Sequence, residues 1–131
     1  MRDIIKRLIN NGISSDHDLI ELAERIGVQL DGILLSSEID KPPMRGSYLI
    51  LLRPENMDVG HWTCIHNGRY FDSQGCGPPE RYGEIPYNEI QYQGTYAEYC
   101  GLWCLLWLYT QQHDRTDLLK RFDNLSAIIV D

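Results

Sequence analysis

The dipeptide Asn67-Gly68 lies between two strand-like runs, Trp62-Thr63-Cys64-Ile65-His66 and Arg69-Tyr70-Phe71-Asp72, and constrains this chain more than any other feature. Asn-Gly favours the two positive φ angles of a type I′ turn, whose twist matches that of paired antiparallel strands. The turn fixes a register: His66 opposite Arg69, Ile65 opposite Tyr70, Cys64 opposite Phe71, Thr63 opposite Asp72. Side chains alternate faces along a strand, so His61, Thr63 and Ile65 share a face with Gln74, Asp72 and Tyr70. His61 and Asp72 become diagonal neighbours, with α-carbons about 7–8 Å apart. A carboxylate at that range can hydrogen-bond an imidazole, orient it and stabilise its cationic form. His66 falls on the opposite face. Taken alone, His61 and Asp72 could equally be ordinary residues at the ends of a hairpin.

A second constraint lies downstream. Cys100-Gly101 heads an apolar stretch, Gly101 to Tyr109, that reads as a helix from about Cys100 to Gln112. It is apolar on nearly all sides, so a buried helix is expected. A thiol at a helix N-terminus sits where the dipole favours a thiolate. Gly101 leaves room for a substrate carbonyl to approach the backbone. A buried core cysteine is the alternative for any single Cys, and Cys104, one turn into the helix, fits that description. Gln93, seven residues before Cys100, offers an amide that can donate to a developing oxyanion beside the nucleophile's own N–H. Gln91, on the same strand face, competes with it.

The rest of the chain frames these residues. Ile4, Ile5, Leu8 and Ile9 have the spacing of a short amphipathic helix. Ser15 is placed to cap a second helix to about Ile26, with Leu19, Ile20, Leu22 and Ala23 as its stripe and Asp16 and Asp18 in its first turn. Val28 to Leu35 reads as a short strand and turn. Ser47 to Leu52, between Gly46 and Pro54, reads as a buried strand. Gly75 to Pro86, with three Gly and three Pro, reads as a loop. Glu89 to Gln93 reads as a strand, Asp114 or Thr116 as the cap of a helix to about Phe122, and Ala127 to Val130 as a final strand. The expectation is one α+β domain over residues 1–131, with a helical part over 1–46 and a core over 47–131. Its centre is a mixed sheet with a hairpin carrying His61 and Asp72, packed on a buried helix with Cys100 at its N-terminus.

Composition excludes some classes. A net charge of −7 argues against a dedicated nucleic-acid binder. The charged N-terminus shows no signal peptide, and the longest apolar run is about half of a membrane span, so an intracellular protein without a membrane partner is expected. Free thiols are then the default for Cys64, Cys76, Cys100 and Cys104. His61, Cys64, His66 and Cys76 include zinc-ligand types. His61 and Cys64 point to opposite faces of a strand, however, and no Cys-x-x-Cys is present, so neither metal nor cofactor is expected.

At these residues the chain resembles the adenovirus maturation proteases (adenains) and their relatives, the proteases of ubiquitin-like proteins. Gly60-His61-Trp62 looks like the clan's His-Trp at a strand start. Tyr70-Phe71-Asp72-Ser73 looks like its segment carrying the acidic residue. Gln93-Gly94 with Cys100-Gly101-Leu102-Trp103-Cys104 is similar to the adenain Gln-Gly followed by Cys-Gly-Leu-Phe-Cys. The order His, Asp, Gln, Cys is the clan's order, and the resemblance covers roughly residues 47–112. It implies His61 as general base and acid, Asp72 as its orienter, Gln93 in the oxyanion hole, Cys100 as nucleophile, and Trp62 shaping the cleft. It implies a thiol endopeptidase cleaving after small residues, often Gly. The partner would be a protein or polyprotein substrate, in the maturation of a viral polyprotein or capsid, located in host cytoplasm, nucleus or virion. An activating peptide is a further partner known in this clan. Removal of ubiquitin or its relatives is the same-clan alternative, and a silent module gripping a glycine-rich tail is the alternative of another class. The chain departs from adenains in being shorter and acidic, where they are basic and use DNA as a cofactor. It departs from the ubiquitin-like-protein proteases in having Tyr99 before Cys100.

Overall fold

A computed structural model describes residues 16–52, 61–73, 75–88 and 100–117. The elements are helix α1 (Asp16–Ile26), strands β1 (Gly32–Leu35), β2 (Ser47–Leu52), β3 (His61–His66) and β4 (Arg69–Phe71), and helix α2 (Cys100–Gln112). Among the described residues the architecture is α+β, a four-stranded mixed sheet in the order β1-β2-β3-β4 with two helices. Strand β1 runs parallel to β2, and the other two pairs are antiparallel. No described helix is long and apolar enough to cross a membrane.

The hairpin holds three of the four pairs expected of its turn, and the ladder stops short of Thr63 and Asp72. Cys64 pairs with Phe71, Ile65 with Tyr70 and His66 with Arg69, and Asn67 and Gly68 take φ of 49° and 82°. Alternation then sorts the strands between two apolar clusters. Leu49, Trp62, Cys64 and Phe71 join the larger one, under α2. Ile50, Ile65 and Tyr70 join the smaller one on the other face, with Tyr82 from a short helical turn at Glu80–Tyr82. Strand β2 is therefore covered on both sides, which is why its run Ser47 to Leu52 is almost continuously apolar.

Helix α2 lies between the sheet and α1. Leu102, Cys104, Leu105 and Leu108 are each at most 2% exposed, and Trp107 stacks on Phe71 with ring centroids 5.1 Å apart. Burying each large apolar side chain of this kind contributes roughly 1.5–3 kcal/mol. Helix α1 presents Leu19, Leu22 and Ala23 to α2. Gly101 allows this approach: a Cβ there would stand 2.8 Å from one Leu19 methyl and 3.2 Å from Trp62 Cδ1. Its missing side chain thus has a packing reason.

Four expectations are corrected or narrowed. Ile20 is not part of the buried stripe; it is 42% exposed, because 100° of rotation per residue carries it off the face shared by Leu19, Leu22 and Ala23. Only Gly32–Leu35 of the 28–35 segment is a strand, so the part expected to be helical also supplies a sheet edge. The Gly- and Pro-rich loop includes the helical turn at Glu80–Tyr82, which buries Tyr82. Asp114 belongs to the close of α2: its φ of 54° and the bond from the Arg115 N–H to Thr110 O end that helix in a Schellman-like turn. The cap at Ser15, the helix over 4–9, the strands over 89–93 and 127–130 and the helix beyond Asp117 lie outside the described residues.

Candidate active site

Strand β4 ends at Phe71, opposite Cys64. Beyond that point the next backbone groups of β3 meet α2 instead of a strand. The Trp62 N–H donates to Cys100 Sγ at 3.2 Å, and the Cys104 thiol donates to Trp62 O at 3.4 Å. Two thiols one helical turn apart thus grip a single residue of β3 and set the register of helix on strand. Cys64 adds a longer contact, from its thiol to Cys104 O at 3.7 Å. Trp62 contributes its backbone to the site while its side chain lies 6% exposed in the larger cluster.

His61 opens β3 beside this grip. Its Nε2 is 2.6 Å from Asp72 Oδ1. Asp72 follows β4 directly and is 2% exposed, so the hairpin delivers the carboxylate to the ring as its register requires. Burial pulls the His61 pKa down, but the Asp72 hydrogen bond and the interaction with Cys100 outweigh burial and push it up to about 9. With Nε2 committed to Asp72, Nδ1 is the nitrogen left to face the thiol. Among the described residues the buried Nδ1 finds no hydrogen-bond partner of ordinary geometry. The ring is 21% exposed at its side chain and the Asp72 carboxylate 3%, whereas Cys100 is 4% exposed.

The structure therefore brings His61, Asp72 and Cys100 together, and Gly101 follows the thiol on α2. Gln93 and its competitor Gln91 lie outside the described residues. The other thiols are unlike Cys100. Cys104 is fully buried and burial raises it well above the ordinary thiol range, while Cys76 is exposed and all four cysteines are free. His66 stands five residues along β3, about 17 Å away at 3.3–3.4 Å per residue. His113 bonds Gly27 O at 2.8 Å. Among the described residues no group of three or more His, Cys, Asp or Glu is placed to hold a metal.

Sequence reasoning missed three participants. The Trp62 N–H is a backbone donor and has no side-chain signature. The Cys104 thiol was read as filling only. Asn88 brackets the Asp72 backbone: its Oδ1 accepts the Asp72 N–H at 2.8 Å and its Nδ2 donates to Asp72 O at 2.5 Å. Nothing in the pattern around Asn88 distinguishes it from a solvated loop residue. No family model, curated protein or solved structure matches the chain.

Proposed function

We propose that this chain is a cysteine peptidase with Cys100 as nucleophile, His61 as general base and acid, Asp72 as the orienter of His61 and Gln93 as an oxyanion donor. The observation that carries the reading is the His61 ring, held 2.6 Å from Asp72 and raised to about 9 by its two flanking groups, one of them the Cys100 thiol. A histidine so placed is cationic at neutral pH and can sit beside a thiolate. The thiolate adds to the scissile carbonyl carbon, the C–N bond breaks, and the His61 proton goes to the leaving amine. Water then attacks the thioester as His61 takes its proton, releasing the acid and the thiol. The resemblance to adenains supports cleavage after small residues, often Gly, in a viral polyprotein or capsid protein.

A second reading, a silent module that binds a glycine-rich tail, is favoured by one observation, the 4% exposure of Cys100. Limiting iodoacetamide near pH 6 with peptide mapping separates the two. The peptidase reading expects selective alkylation of Cys100 that is lost in His61→Ala, and loss of peptide cleavage in Cys100→Ala with binding retained. Cleavage surviving in Cys100→Ala would overturn the assignment of the nucleophile. A silent Cys100, with Cys76 labelled instead, would favour the module.

A further inference from the structure

In the peptidase reading Asp72 orients His61, but a carboxylate orients a ring only if its own backbone is held. Asp72 lies one residue past the last pair of β4, where the ladder no longer fixes it. Its backbone is fixed by Asn88 instead. The side-chain amide reads both polar groups of the Asp72 main chain, one as acceptor and one as donor. Gly75 N–H adds a turn bond to the same Asp72 carbonyl at 2.8 Å.

Asn88 is itself held. The Tyr70 N–H donates to Pro86 O at 2.9 Å, and Tyr87 forms a parallel bridge with Tyr70. The chain that leaves the hairpin at Asp72 therefore comes back along β4 and ends, at Asn88, against the residue it started from. An amide is the side chain suited to this place, because it offers an acceptor and a donor on one planar group. A carboxylate would set an acceptor against the Asp72 carbonyl, and a hydroxyl is too short to span both groups.

We propose that Asn88 is a positioning residue of the candidate active site, acting on His61 through Asp72. The inference rests on the peptidase reading for its purpose, but its geometry stands apart from Cys100. Among the described residues the titratable groups that face the His61 ring are Asp72, following β4, and Cys100, on α2.

The test is a pH titration of the His61 ring nitrogens by NMR in the full chain, in wild type, Asn88→Ala, Asn88→Ser, Asp72→Ala and the double variant Asn88→Ala/Asp72→Ala. The expected midpoint is near 9 in wild type and lower by about one unit in Asn88→Ala, a tenfold weakening of the preference for imidazolium. Asp72→Ala should lower it further, and the double variant should match Asp72→Ala. An unchanged midpoint in a folded Asn88→Ala overturns the proposal, as does an effect that adds in full to that of Asp72→Ala. If Asn88→Ala does not fold, Asn88→Ser, which adds no charge and cannot span both groups, must lower the midpoint or the proposal fails. Cys100 alkylation in the wild type is read in parallel. A silent thiol with the Asn88 pattern intact removes the peptidase reading and leaves the positioning role standing. A reactive thiol with no Asn88 effect does the reverse.

Discussion

Strand β3 carries a histidine at each end, and the two ends are built from opposite materials. At His61 the partners can bear charge: the Asp72 carboxylate and the Cys100 thiol. At His66 the hydrogen-bond partners are neutral. Ser47 Oγ lies 2.7 Å from Nδ1 and Asn67 Nδ2 3.3 Å from Nε2. Asn67 Oδ1 is taken by the Gly46 N–H, so its NH₂ faces the ring and Nε2 must accept. Nδ1 is then the protonated nitrogen and donates to Ser47, whose oxygen also accepts from Gln112 Nε2 at 2.8 Å. This network is complete with a neutral ring. Burial lowers the His66 pKa, with Asp31 opposing, whereas His61 is raised. Five residues apart on one strand, the same side chain is held toward its charged form at one end and toward its neutral form at the other. The partners decide which.

The largest break in that contrast would come from making the His61 end neutral. Asp72→Asn keeps the shape and removes the charge. If the peptidase reading holds, peptide cleavage should fall about 10³–10⁴-fold, the scale seen when a triad carboxylate becomes an amide. The His61 midpoint should move down from about 9 toward its ordinary value. A cleavage rate within a few-fold of wild type would show that Asp72 is not the orienter.

A smaller effect separates the two ends by their sign. A histidine raised from 6.5 to about 9 stabilises the fold fully below pH 6.5 and loses that contribution as pH rises through 9. The loss is up to about 3 kcal/mol. His66, lowered, does the opposite: the neutral ring fits the fold, so stability falls as pH drops below 6.5. Urea unfolding at several pH values should show both limbs. His61→Gln should flatten the alkaline limb and His66→Gln the acid one. Alkaline limbs of equal slope in wild type and His61→Gln would remove the charge assigned to His61.

What the sequence made legible follows from how local each signal is. Asn67-Gly68 sets a register by turn geometry alone, so the pairs of β3 and β4 and the meeting of His61 with Asp72 could be read in advance. The span of α2 follows from the apolar run Gly101 to Tyr109, which holds no proline. The parallel pairing of β1 with β2 could not be read, because it joins segments across residues 36–46 and leaves no periodic mark. The hold on Trp62 by Cys100 and Cys104 was hidden for another reason. Cys104 on a buried helix looks like filling, and Cys100 like a nucleophile alone, until the backbone they face is known. Asn88 was hidden because its partner is a main chain, and main chains are the same at every residue.

The smallest test sharpens the comparison from the quiet end. Ser47→Ala removes the oxygen that accepts from both His66 and Gln112. Ser47 is 2% exposed, so water cannot readily replace the hydroxyl, and two donors lose their acceptor. One of them, Gln112, keeps its bond to Gln29 O at 2.7 Å, which limits the damage. The expected loss is about 1–2 kcal/mol of unfolding free energy, the scale for a buried hydrogen bond whose partner is left unsatisfied. The alkylation rate of Cys100 and the His61 midpoint should not move, because the disturbance is a strand's length away and the groups that raise His61 are untouched. A fall in Cys100 reactivity in Ser47→Ala would mean that the two ends of β3 are coupled through α2. They would then be two terminals of one device, and the contrast between them would have to be drawn again.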